Sequence, residues 1–333
     1  MKIRTFSSLA VLAGLSLSLA AVAQDLPDPG KVVDTFEKLG GVHKGLRRNH
    51  AKGSCAVGSF VGTAEAKKLS SSALFSGKEV PVTARFSVAG PAPEVPDAAR
   101  APHGLGLQFK LPKDELQQTT MLNVPIFPVS TVQGFYDSLL INLPDPATGK
   151  PDPEKAKAFG AAHPEAKPFF EYMGSHNASA TYTEATYHSL SAYKLINGKT
   201  ETWVRWRFEP AGGDKFLTDA EAASAPHDFL DQKLTEGLHK AHAKWTMIAT
   251  IGETAKGDSI KDPSSPWPAG RKEVKLGTLT LTKGGQDAKG TCEDINYDPN
   301  VASAGIEPSS EDQILQYRSS AYAESYTRRE SEK

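Results

Sequence analysis

Arg318 stands four residues before Tyr322, in the stretch QYRSSAYAES (316–325). At helical spacing, positions i and i+4 share a face, so a guanidinium is set beside a phenol. A free phenol titrates near pKa ~10, and holding it as phenolate at neutral pH takes at least ~3 units, roughly 4 kcal/mol. One arginine in contact supplies about that much at an intermediate dielectric, and a ferric ion on the oxygen supplies more. The pair therefore suits an anionic oxygen ligand for iron. Taken alone, R-x-x-x-Y is weak evidence and better suits an ordinary pair on a helix surface.

His50 is the second candidate, in LRRNHAKG (46–53). An imidazole titrates near working pH, so it can take a proton from one atom and return it to another. The two cysteines, Cys55 and Cys292, leave two readings open, a disulfide or two separate thiols. Their separation excludes a C-x-x-C-H attachment and a cysteine zinc site, so any haem here is held without thioether bonds. His239 and His242 make an H-x-x-H pair without further ligands and read as surface residues.

These side chains need elements to position them. Residues 1–23 read as a secretory leader: Lys2 and Arg4, an apolar run from Leu9 to Ala20, then Ala21-Val22-Ala23 before Gln24. The expected location is the periplasm. No stretch beyond the leader is long and apolar enough for a membrane span. The formal charge of −1 falls to near −3 without Lys2 and Arg4, which argues against nucleic acid or an anionic membrane as partner. About 310 residues remain, read as one domain over 24–333.

PVTARFSVAG (81–90) and HGLGLQFKL (103–111) alternate as half-buried strands do, the second with glycines where something can approach the backbone. TMLNVPIFPVS (120–130) reads as a third strand. Val132–Gly174 and Lys215–Lys244 have helical composition. Asn197-Gly198 predicts a type I′ hairpin between YHSLSAYKLI and KTETWVRWRF. Trp245–Glu253 and Lys272–Thr282 read as strands, and Ser309 or Ser310 opens a final helix. The fold class expected is α+β, an antiparallel sheet closed into a barrel with helices packed outside.

Three segments in order resemble the haem catalases: LRRNHAKG (46–53), VTARFSVAG (82–90) and YDPNVASAGIEPSSEDQILQYRSSAY (297–322). The resemblance covers roughly Asp34 to Arg329 and implies a catalase-like barrel. Residue by residue, it implies that His50 is the distal acid/base and Tyr322 the iron ligand, with Arg318 beside it. It implies that Arg47, Arg85 and Arg329 pair with haem propionates, for which a bidentate, permanently charged fork is suited. Ser87 would orient the His50 ring, and Asp312 and His188 would join a charge relay behind Arg318. The cofactor implied is non-covalent haem b, and the partners are a peroxide and an electron donor left unnamed. The oligomeric state is left open.

Two departures matter. The chain stops soon after Tyr322, where familiar catalases continue, so the wall around the haem is shortened. In MLNVPIF (121–127), read by the nearby proline, Asn123 matches the second of two family asparagines and Leu122 the first, which helps position peroxide; a one-residue shift would put Asn123 there instead, and the position is left unassigned. Losing such a donor costs ~10²–10³ in rate at other sites. The short length and leader resemble the catalase-related peroxidases, implied to use organic peroxides. One alternative is a true catalase. Another is a haem-binding protein without turnover, against which His50 speaks, since mere binding needs no distal base.

Overall fold

The structure, a computed structural model, describes residues 26–333; the leader expected over 1–23 lies outside the described residues. Ten strands form one antiparallel sheet. They are β1 (Gly53–Gly62), β2 (Glu79–Val88), β3 (His103–Lys110), β4 (Leu116–Leu122), β5 (Tyr187–His188), β6 (Tyr193–Asn197), β7 (Thr200–Pro210), β8 (Ala243–Ile251), β9 (Glu273–Gly284) and β10 (Ile306–Pro308). The order runs β10-β6-β7-β5-β4-β3-β2-β1-β9-β8, and β8 pairs back onto β7. That last pairing closes an eight-stranded barrel, with β6 and β10 extending it beside the first half of β7. Closure removes the open edges that an extended sheet would leave.

The helices are α1 (Pro29–Gly40), α2 (Ala64–Leu69), α3 (Val132–Leu140), α4 (Pro153–Ala162), α5 (Lys167–Ser175), α6 (Asp219–Ser224), α7 (Phe229–Lys240) and α8 (Gln313–Ser331). Among the described residues, no helix is long and apolar enough to cross a membrane. Alternation sends Phe86, Leu105, Leu107 and Phe109 to the barrel core, with Phe60, Phe208 and Trp245 from other strands. The intervening residues of β2, β3 and β4 face outward, and Thr120 of β4 is met there by Arg318 of α8.

Two local readings change. The hairpin turn is Gly198-Lys199, with Asn197 already paired to Thr200. Gly198 has φ 61 and no positive φ falls on Lys199, so the turn has the single left-handed residue of a II′ type. At α8, the cap is Asp312 rather than Ser309 or Ser310: its carboxylate accepts from Leu315 N at 3.0 Å. The cysteine alternatives resolve to a disulfide, Cys55–Cys292, with Cα atoms 5.4 Å apart.

Candidate active site

The register sets out the floor of the site. Across the sheet, Ser87 pairs with Gly104, Gly104 with Leu122, and Leu122 with His188. The adjacent row is Cys55, Arg85, Gly106 and Thr120. Paired residues point to the same face, so these two rows make one surface. Gly104 and Gly106 let neighbouring side chains come close against the backbone at its centre. A Cβ on Gly104 would lie 2.6 Å from Ser87 Oγ and 3.1 Å from His50 Nδ1; one on Gly106 would lie 2.9 Å from Tyr297 Cγ.

His50 sits over that surface in an unusual conformation. Its φ is 53, in the left-handed region that non-glycine residues seldom adopt. Asn49 holds it there, its Oδ1 accepting from both His50 N (2.9 Å) and Gly90 N (3.1 Å). His50 Nδ1 lies 2.9 Å from Ser87 Oγ. With Nδ1–H donating to Ser87, Nε2 keeps a free lone pair. Desolvation, then Arg85, Arg318 and Arg47, push the His50 pKa down to about 3, so the ring is neutral and ready to accept a proton. Although half-buried by surface area, the ring lies deep enough for desolvation to lead.

On α8, Arg318 Nε donates to Tyr322 Oη at 3.2 Å, and Nη2 donates to both Tyr322 and Thr120 Oγ1. The bond to Thr120 sets this pair against the surface that His50 overlies. Burial opposes the Arg318 charge, but Tyr322, Tyr193 and Asp298 outweigh it and hold its pKa up. The helix is pinned on both sides. Arg48 reaches Glu37 of α1 at 2.7 Å and pairs with Glu332, and its backbone N–H donates to Ser325 Oγ. Asn300 donates to Leu315 O and Ser319 Oγ.

The three propionate candidates converge. Arg47 Nη2 donates to the carbonyls of Cys292, Glu293 and Ile295; Arg329 donates to Glu293 and Ile295; Arg85 donates to His50 and Ala51. Arg329, near the end of α8, is 3 % exposed and so is no frayed surface residue. Among the described residues, no carboxylate forms an ion pair or hydrogen bond with any of the three. Burial, then repulsion from Arg85 and Arg329, pushes Arg47 down to about 8; burial leads again in lowering Arg85 to about 10. A guanidinium does not give up its proton in a protein, so this repulsion is relieved by drawing in an anion. A flat group with acidic arms would fit such a site: a sheet face with two glycines, the Arg318–Tyr322 pair set against it, and three cations nearby.

The structure does not bring His188 into the relay. His188 answers to Arg207 and Asp214, whereas Asp312 is neighboured by Ser191, Arg205 and Arg318. Leu190, at φ 62, bends the chain between β5 and β6 and turns Ser191 toward Asp312 instead. Ser191 lies near enough to offset part of the burial that raises the Asp312 pKa, yet Asp312 Oδ2 closes no hydrogen bond. Leu122 shares the face of Gly104, while Asn123 follows the strand with its amide committed to His103 N (2.7 Å) and Ser179 Oγ (3.1 Å). His239 pairs with Asp287 and belongs to no metal cluster among the described residues. Thr120, Ser191 and Asn49 were not singled out from the sequence; only the glycine alternation of β3 signalled the floor.

His103 is a buried histidine outside these roles, 0 % exposed, with both ring nitrogens unpartnered among the described residues and Tyr182 edge-on at 5.6 Å. Desolvation pushes its pKa down to about 4. Below about pH 6.5 the unfolded chain takes up a proton that the fold refuses, so stability is lost as pH falls toward 4. By pH 5 that costs about 2 kcal/mol. His103→Phe should flatten the acid limb of urea-unfolding free energy between pH 7 and 5; an unchanged limb would place the proton elsewhere.

The catalase family model matches residues 44–333. A catalase-related peroxidase of Synechococcus elongatus is 46% identical over 320 residues, 96% of this chain and 94% of that one. One of Mycolicibacterium paratuberculosis is 28% identical, covering 89% of this chain and 93% of the relative. A Pseudomonas aeruginosa catalase is 29% identical over 83% of this chain, but the match spans only 55% of the catalase. Catalase A from Saccharomyces cerevisiae superposes with a TM-score of 0.78 at 24% identity, covering 86% of this chain and 62% of the other, which is a likeness of fold.

Proposed function

Since the chain belongs to the catalase family, we propose that it is a haem peroxidase that reduces organic peroxides at the expense of an outside donor. It is a peroxide-acting oxidoreductase of that family. The observation that carries the reading is one sheet face bearing a neutral His50 over a glycine floor, with the Arg318–Tyr322 pair set against it. Tyr322 would hold the iron of haem b, while Arg47, Arg85 and Arg329 would take the propionates. Bound haem supplies the redox chemistry. This chain's residues bind and orient it, and His50 moves the proton: Nε2 accepts it from the inner peroxide oxygen and delivers it to the outer one, which leaves as water or alcohol.

Leu122 supports peroxidase over catalase. Dismutation needs a second peroxide held beside the iron, and a leucine offers it no hydrogen bond. Leu122→Asn should raise oxygen release from hydrogen peroxide by about 10-fold or more, following the worth of one such donor. An oxygen electrode reads this directly, and no gain would remove Leu122 as the cause. The Cys55–Cys292 disulfide supports work in an oxidising compartment, as the leader suggests.

The function is tested on haem-supplied protein with cumene hydroperoxide and hydrogen peroxide, each followed by dye oxidation and an oxygen electrode. Dye oxidation with little oxygen is the expected result. Vigorous oxygen release would make the protein a small catalase. A Soret band with no turnover of either peroxide would leave a haem-binding protein.

A further inference from the structure

Tyr297 is 5 % exposed, and among the described residues its hydroxyl has no hydrogen-bond partner. Its ring lies on the outward face of β3, against Gly106, and the Arg47 guanidinium carbon is 5.9 Å from the ring centroid. It follows directly on the segment whose Cys292, Glu293 and Ile295 carbonyls hold Arg47 and Arg329. A buried hydroxyl left unpaired is costly, so the group calls for a partner. Its charged neighbours could donate to the phenol oxygen but cannot take up its proton, because guanidiniums only donate. The missing partner must therefore be an acceptor, and the three arginines call for an anion at the same place. A carboxylate answers both.

We infer that the Tyr297 hydroxyl is a fourth anchor of the cofactor, donating a hydrogen bond to a propionate carboxylate beside Arg47 and Arg85. The inference rests on the haem reading given above. Burial pushes the Tyr297 pKa up against the opposing pull of Arg47 and Arg85, so the phenol stays protonated and remains a donor. Tyr297 is a positioning residue: it fixes the edge of the haem and touches no reacting atom.

The test is haem loss from the full-length holoprotein to excess apomyoglobin, comparing wild type with Tyr297→Phe. The variant keeps the ring against Gly106 and loses only the oxygen. Loss should be about tenfold faster, as expected for one hydrogen bond to a charged acceptor. Reconstitution with haem dimethyl ester, which has no carboxylates, supplies the control that a packing role would fail: the two proteins should then release it at equal rates. Equal rates with ordinary haem overturn the anchor, as does the same acceleration with the ester. Wild-type protein that takes up no haem overturns the haem reading itself, an outcome separable from the first two by its missing Soret band.

Discussion

His50→Ala protein should take up haem as the wild type does and turn over peroxide about 10²–10⁴-fold more slowly, the range ascribed to a positioned acid/base. Uptake should survive because the arginines and Tyr322 lie apart from the imidazole, and alanine leaves the Gly104 floor open. The φ of 53 adds a second reason for tolerance: the left-handed strain at 50 is set by Asn49, which remains. The pH profile sharpens the assignment. Burial, followed by Arg85, Arg318 and Arg47, holds His50 neutral down to about pH 3, so the base form persists across the ordinary acid range. Wild-type kcat/KM should accordingly stay flat from pH 8 to 5. Propionates held by Arg47 and Arg85, as proposed, would offset part of that depression and move the acid limb up without bringing it to neutrality. Stopped-flow dye oxidation measures both quantities. Unchanged turnover in His50→Ala would remove His50 from the chemistry.

Tyr322→Phe should lose the ferric-phenolate spectrum and bind haem at least about 100-fold more weakly, since the oxygen proposed to hold the iron is gone. It should also destabilise the empty protein. Arg318 would keep Thr120 but lose the Tyr322 oxygen as acceptor, and a charged hydrogen bond is worth about 1.5–3 kcal/mol. The double variant Arg318→Met with Tyr322→Phe should recover much of that stability, because it removes the half-satisfied cation as well. It should not recover the spectrum. Haem titration followed at the Soret band, with urea unfolding of the haem-free forms, separates the two effects. A single variant that keeps both spectrum and affinity would mean that another atom holds the iron.

Much of the barrel was legible because β2 and β3 alternate cleanly, and the glycines of HGLGLQF fall on one face of that alternation. β1 was not, since GSCAVGSFVG is rich in small residues and shows no two-residue period, yet its pairing with both β2 and β9 is what joins the two halves of the barrel. In the site, Arg318 and Tyr322 were readable because helical spacing fixes who meets whom. Arg47, Arg85 and Arg329 gave no such local sign; they converge only through the register of β2 and the docking of α8. His188 failed for the complementary reason. A strand bend at Leu190 decides which side chain reaches Asp312, and a left-handed leucine cannot be read from neighbouring residue types. The change from Asn to Leu at 122 could be placed only once its pairing with Gly104 was known.

The disulfide has a consequence for how the finished molecule ages. Cys55 pairs with Arg85 across β1 and β2, and Cys292 offers its carbonyl to Arg47, so one covalent link braces the cradle from two sides. Whatever that brace adds to cofactor retention, the cofactor must return in equal measure to the brace, because coupling free energies are reciprocal. A brace that slows the loss of a bound cofactor would thus make the loaded molecule harder to reduce, and to the same degree. Each form of damage would then favour the other.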